Sequence, residues 1–302
     1  MMTMTGVIVP MTTPFTDDGA VDYGTLEKTT HYLIDHGIRC LYPCGTTGEM
    51  HLLTTQERKQ IAETVINEAG GQAFVFVQCG GITFDETLEL AQHAESIGAN
   101  GIGIVSPSFF GLSDREMVDY YDRILKETND ELPVYLYNIP QCSGNDISVN
   151  ACREIADSHL NVVGIKYSYN DANRVCDYLS IRDYDFSVLV GLERQFLGYL
   201  ALGCDGVVSG CASIAPELFL ELYSAFKSGD IASAQKYQRK IDKLFLLLTH
   251  DKSIARVKAA EQILGLGNGK LRSPLSSVTR ETYLEIEDAL SDILPGLKSE
   301  AS

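Results

Sequence analysis

Short apolar runs alternate with longer amphipathic stretches from one end of the chain to the other. Gly6-Val7-Ile8-Val9, closed by Pro10, reads as a first strand. A helical pattern follows over 22–36, with Leu26, Tyr32 and Leu33 at helical spacing and Gly37 as its stop. The same unit then recurs. Strands are predicted at 40–42, 74–78, 101–105, 133–137, 162–168, 186–191 and 206–209. Helices are predicted at 54–69, 83–97, 114–128, 149–157, 171–180, 193–202 and 216–227. Thr54 and Glu57 have the spacing of a capping box at the start of the first of these.

Most of the strands are apolar throughout rather than alternating, which is the mark of a parallel sheet covered by helices on its exposed face. Eight strand-then-helix units over this span predict a closed (β/α)₈ barrel, a TIM barrel. An open doubly wound sheet is the runner-up, but no Gly-x-Gly-x-x-Gly opens a helix here. Beyond residue 229 only helical patterns remain, at 230–249, 252–264 and 279–293. The expected organisation is a barrel over 1–229 and a C-terminal helical extension over 230–302, with no low-complexity linker between them.

Composition narrows the function classes. A formal charge of -17 argues against nucleic acid or an anionic membrane surface as partner. The start carries no basic residue and no apolar core of signal-peptide length, and no apolar run spans a bilayer. A cytoplasmic location is therefore expected. The eight cysteines form no Cys-x-x-Cys pair, have no nearby histidines to complete a zinc pattern, and read as reduced and structural. The six histidines are scattered without metal or triad spacing. Neither a metal nor an organic cofactor is expected.

In such a barrel the chemistry belongs at the C-terminal ends of the strands. Three unusual features fall there. Lys166 ends an apolar strand, where an unpaired ammonium is costly to bury. In an apolar pocket a lysine loses its proton, and the neutral amine attacks carbonyls. The competing reading is a lysine that snorkels to the surface or pairs with a carboxylate. Gly45-Thr46-Thr47-Gly48-Glu49 follows strand two, and its hydroxyls and closely approached N–H groups suit a carboxylate. Alone it is an ordinary strand-to-helix turn. Tyr137, in Tyr137-Asn138-Ile139-Pro140 after strand five, carries a phenol that can give and take a proton, or is simply a core tyrosine. The combination is what points to a site.

These motifs resemble the class I pyruvate aldolase superfamily of N-acetylneuraminate lyase and dihydrodipicolinate synthase. The resemblance runs from Pro10-x-x-Thr13-Pro14-Phe15 through Gly45–Glu49, Tyr137–Pro140, Gly164-Ile165-Lys166 and Gly206-Val207-Val208-Ser209 to Arg272-Ser273-Pro274-Leu275. It implies a Schiff-base lyase in which Lys166 attacks the ketone of pyruvate or another 2-oxo acid. It also implies that Thr46, Thr47 and Gly48 hold the carboxylate, that Tyr137 shuttles protons with Thr46 beside it, and that the backbone around Val208 frames the pocket. Members of the superfamily are commonly tetramers, so a homotetramer is expected.

Departures from the family patterns bear on the substrate. The synthases resemble one another in a Pro-Tyr-Tyr stretch, where this chain has Pro107-Ser108-Phe109-Phe110, and in an arginine where Cys142 stands here. A cysteine cannot replace a bidentate guanidinium. Sialic acid lyases carry an Asp-Glu pair after strand seven, of which only Glu193 remains as a sugar-binding residue. A 2-keto-3-deoxy sugar acid or a sialic-acid-like substrate is the remaining fit, with a synthase of dihydrodipicolinate as the alternative. A dehydratase on the same scaffold and a non-catalytic 2-oxo-acid-binding protein are further alternatives. Glu49 and Glu193, both near the proposed mouth, read more readily as solvated loop carboxylates than as ligands.

Overall fold

The computed structural model describes residues 2–249 and 253–294. His250 and Lys252, the latter the predicted first residue of a helix, lie outside the described residues, as does the end of the predicted extension. Eight parallel strands close into a barrel in sequence order. They are β1 (Gly6–Pro10), β2 (Cys40–Tyr42), β3 (Phe74–Gln78), β4 (Gly101–Val105), β5 (Val134–Asn138), β6 (Val162–Tyr167), β7 (Ser187–Val190) and β8 (Gly206–Val208). The ring is sealed by β1 against β8, with Val7 opposite Val207. Apart from Phe74 at the start of β3, both faces of the strands are buried, which is why their sequences do not alternate.

The barrel interior is filled by one set of side chains: Met4, Ile8, Cys40, Tyr42, Phe76, Tyr135, Val163, Leu189 and Val208. Space for the largest of them is made by glycine. At Gly103 a Cβ would collide with the Tyr42 hydroxyl, so β4 needs a residue without a side chain where Tyr42 crosses the interior. A second and larger core lies between the strands and the surrounding helices.

The covering helices are α1 (Tyr23–Asp35), α2 (Thr55–Ala69), α3 (Phe84–Ser96), α4 (Asp114–Leu125), α5 (Pro140–Ser143), α6 (Val149–Ser158), α7 (Ala172–Leu179), α8 (Phe196–Leu202) and α9 (Pro216–Lys227). The capping box of Thr54 and Glu57 is formed. Gly37 follows α1 in a left-handed conformation (φ 88°) that a side chain would disfavour. Helix α4 ends at Leu125, short of the predicted 128. The stretch predicted as one helix over 193–202 is a 3₁₀ turn, Glu193–Gln195, followed by α8. Helix α5, a single turn opened by Pro140, has too few residues to show a period and was not predicted.

Helices α10 (Ile231–Leu248), α11 (Ser253–Ile263) and α12 (Arg280–Ile293) follow the barrel. Helix α10 lies along α9, and α11 reaches the loops above the barrel. Among the described residues no helix is long and apolar enough to cross a membrane. Six of the eight cysteines are buried, whereas Cys142 and Cys176 are exposed, so the expectation that all are structural fails at those two positions.

Candidate active site

The strand register builds the site. Tyr137 on β5 is directly opposite Lys166 on β6, so both side chains emerge on the same inner face at the C-terminal end of the barrel. Lys166 is 5% exposed. Its Nζ lies 3.9 Å from the centroid of the Tyr137 ring and 4.9 Å from that of Tyr42. Among the described residues no carboxylate comes within ion-pair distance of it. Snorkelling and pairing, the two structural readings of this lysine, are thus both absent. Burial holds its pKa down at about 7, and only the field of Glu193 works in the other direction. The ring faces supply part of the solvation that the ammonium has lost.

Tyr137 is buried and shares a hydrogen bond of 3.1 Å with Thr46 Oγ1. Burial pushes its phenol up to about 12, against hydrogen bonds from Thr46 and Ser168 that lower it. The pair is therefore split in a useful sense. At neutral pH the phenol keeps its proton, while the amine beside it gives up its own far more readily than a solvated lysine.

Thr46 and Thr47 stand in the turn after β2. Gly48 holds that turn against the loop after β1, where a Cβ would come within 3.0 Å of Met11 O. Gly48 O accepts from Thr13 Oγ1 at 2.8 Å. On the far wall, Gly210 lies next to Thr47, with room for a methyl 3.7 Å from Thr47 Cγ2. The Val208 side chain points into the packed interior. Two residues further on, Gly210 is the point at which this segment approaches Thr47.

The two carboxylates expected in solvent are both buried. Glu193 is 9% exposed and accepts from Ser209 Oγ at 3.0 Å, and burial raises its pKa. Glu49 is 4% exposed and forms a close ion pair with Lys258 of α11. Its partner comes from 209 residues away, which no local pattern could reveal. Tyr42 was likewise not singled out, although its place at the end of β2 is the same signal that marked Tyr137.

Beside Thr46 a cavity of about 210 Å³ opens to the outside. Its wall includes Thr46, His51, Ser106, Ser108, Cys142 and Leu275. Lys166 and Tyr137 are not part of that wall; Thr46, bonded to the Tyr137 hydroxyl, links them to it.

Comparison with known proteins gives this arrangement its family. The model of the dihydrodipicolinate synthetase family matches residues 3–293. The chain belongs to that family. It is 31% identical over 289 residues to a 4-hydroxy-tetrahydrodipicolinate synthase of Methanospirillum hungatei, covering 95% of this chain and 98% of the relative. It is also 31% identical over 271 residues to a probable 2-dehydro-3-deoxy-D-pentonate aldolase of Escherichia coli, covering 88% of this chain and 89% of the relative. A solved structure of the dihydrodipicolinic acid synthase family, a prophage protein of Escherichia coli K12 in complex with pyruvate, matches with a TM-score of 0.90. Its identity is 28%, over 96% of this chain and 98% of that one. The protein is a lyase of the dihydrodipicolinate synthetase family and a TIM barrel, as its sequence motifs implied.

The pKa near 7 carries a prediction. Only the neutral form of an amine adds to a carbonyl, so the rate at which Lys166 is labelled by an added 2-oxo acid such as pyruvate should rise about tenfold per pH unit below 7 and level off above it. Rapid-quench trapping with borohydride across pH 5.5 to about 9 measures this. A rate still climbing at pH 9 would mean an ordinary lysine value.

Proposed function

We propose that this protein cleaves and forms the C3–C4 bond of a 2-keto-3-deoxy sugar acid through a Schiff base on Lys166. The observation that carries the reading is the buried, unpaired Lys166 amine directly beside the Tyr137 phenol, which is itself bonded to Thr46. The carboxylate of the 2-oxo acid would lie against Thr46, Thr47 and Gly48, which brings C2 to Nζ. Nζ bonds to C2, and the ketone oxygen leaves as water with a proton from Tyr137. The resulting phenolate takes the proton of the C4 hydroxyl as the C3–C4 bond breaks. The released aldehyde departs, and the electron pair stays on C3, drawn toward the iminium nitrogen. Tyr137 passes that proton to C3, and water adds to C2, giving one hydrogen to Nζ and one to the phenolate, which returns pyruvate, free Lys166 and the Tyr137 phenol.

The distal end of the substrate is inferred from the cavity. Among the described residues lining it there is no lysine or arginine, and Cys142 stands where the synthases carry a guanidinium. Its wall is mainly apolar, with Met50, Val105 and Ile139, and the hydroxyls of Ser106 and Ser143 are bonded to one another. That favours an uncharged aldehyde over aspartate semialdehyde, whose carboxylate would have no cation to meet. Glu193 contributes to sugar binding only after it exchanges its bond with Ser209. Pyruvate release from 2-keto-3-deoxy-pentonate and -gluconate, assayed beside sialic acid, tests the reading. Consumption of pyruvate with aspartate semialdehyde is measured in parallel. Turnover of semialdehyde alone would replace it with the synthase.

The functional assembly is proposed to be a homotetramer. Phe109 and Phe110 are 88% and 74% exposed, with ring centroids 5.1 Å apart and perpendicular, an apolar pair at the mouth that a neighbour would cover. Light-scattering chromatography should give a mass of several chains. A single-chain mass would remove this part of the proposal.

A further inference from the structure

Helix α11 sends two charged side chains, one turn apart, down onto the C-terminal rim of the barrel. Lys258 and Glu261 are each 3% exposed. Charged groups this deep persist only when their partners are in place. Lys258 Nζ donates to Glu49 in the close ion pair, and to Lys270 O at 2.8 Å. Glu49 directly follows Gly48 and has a left-handed backbone (φ 59°). Its own N–H donates to Thr46 O at 3.1 Å, so its carboxylate and its backbone together tie Lys258 to the threonine turn.

Glu261 acts on the opposite wall. It accepts from Ser213 Oγ at 3.2 Å and from Thr12 Oγ1 at 2.7 Å. The one Ser213 hydroxyl hydrogen is shared between Glu261 and Gly210 O, which lies 2.8 Å from Ser213 Oγ, and Gly210 is the residue that faces Thr47. Thr12 precedes Thr13, whose hydroxyl holds Gly48 O. One helix outside the barrel therefore grips the turn after β2, the loop after β1 and the loop after β8. Those three segments surround Thr46 and Thr47.

We propose that Lys258 and Glu261 are positioning residues for the 2-oxo acid. Acting through Glu49 and Ser213, they fix the spacing between the Thr46–Thr47 turn and the loop after β8, and so set how well the carboxylate of pyruvate is held. Neither touches substrate. The inference rests on the reading that Thr46 and Thr47 bind that carboxylate. It differs from a purely structural role in one measurable respect. A structural tie lowers the melting temperature and leaves the folded protein's affinity for pyruvate as it was. A positioning tie moves the affinity itself, because displacement on the order of 1 Å in a binding group far from the chemistry has large effects.

The experiment is half-saturation by pyruvate in borohydride trapping, with intact-mass readout, on the full chain of Lys258→Met, Glu261→Gln and Thr47→Val, alongside their melting curves. Lys258→Met and Glu261→Gln should each need about tenfold more pyruvate for half-saturation, with the trapping rate at saturation within about threefold of the parent. Lys258→Arg, which keeps a cation for Glu49, should recover most of the affinity. Values within twofold of the parent in folded Lys258→Met and Glu261→Gln, when Thr47→Val has lost affinity, would overturn the proposal and leave the carboxylate reading standing. An unchanged Thr47→Val would overturn both. Where Lys258→Met does not fold, Glu261→Gln, which keeps the side-chain volume, decides alone.

Discussion

Lys166→Met should abolish pyruvate trapping completely and at the same time raise the melting temperature. The first effect follows from chemistry, since a thioether forms no imine. The second follows from the position of the amine. In the folded chain Lys166 has a pKa of about 7, whereas a solvated lysine has 10.5. The unfolded chain therefore binds a proton that the folded chain lacks between those two values. Over that window stability rises with pH, and below about 7 the penalty is fully present and constant. At pH 7 it amounts to roughly 4 kcal/mol as an upper figure, reduced by the attraction of the Tyr137 and Tyr42 rings for the ammonium. Methionine fills the same space without a charge and sheds that penalty.

Denaturation of the two proteins at pH 6 and at pH 10 reads the difference directly. The variant should be the more stable at pH 6, and the gap should close as the pH approaches 10.5. A variant less stable than its parent at pH 6 would show that Lys166 is held by a partner and is not a destabilised nucleophile. A gain in stability from removing a side chain is unusual, and is expected where strain or desolvation serves a reaction.

The parts of this molecule that were legible in its sequence are those whose cause is local or repeats. Apolar strands buried on both faces, capped helices and eight repetitions of one unit gave the barrel. The strand-end rule then selected Lys166 and Tyr137, and the register of β5 against β6 brings them side by side. Glu49 shows what was not legible. A glutamate in a glycine-flanked loop reads as solvated, and it is buried because Lys258 arrives from a helix of the C-terminal extension, whose docking point on the barrel no sequence pattern gives. Glu193 is similar: its burial depends on Ser209, from the next strand's end. Long-range pairs of charged or polar groups leave no periodicity behind. Boundaries were missed where the backbone tightens into a 3₁₀ turn, as at Glu193–Gln195, because the side-chain pattern changes little there.

Tyr137→Phe should lower turnover of the proposed sugar-acid substrate by about a thousandfold while leaving its KM within a few-fold. The substitution deletes one oxygen. The ring that lies against Lys166 Nζ stays, so the amine keeps its apolar surroundings and its low pKa. What is lost is the hydroxyl bonded to Thr46 and the only phenol whose strand register places it opposite Lys166. Tyr42, the other ring near the amine, has its hydroxyl buried without a hydrogen-bond partner among the described residues, directed at Gly103 and away from a proton path. It is therefore a poor substitute. Stability should change little, since one hydrogen bond is worth about 1 kcal/mol and the phenylalanine fits the same space. Pyruvate trapping should persist in Tyr137→Phe but slowly, because expulsion of the ketone oxygen also draws on the phenol. That combination separates proton transfer from binding. Loss of trapping with unfolding would make Tyr137 a core residue, and turnover within threefold of the parent would move the proton shuttle to Ser168 or Glu193. A thousandfold loss of turnover in a folded protein that still captures pyruvate would leave Tyr137 as the group that moves the proton in both steps.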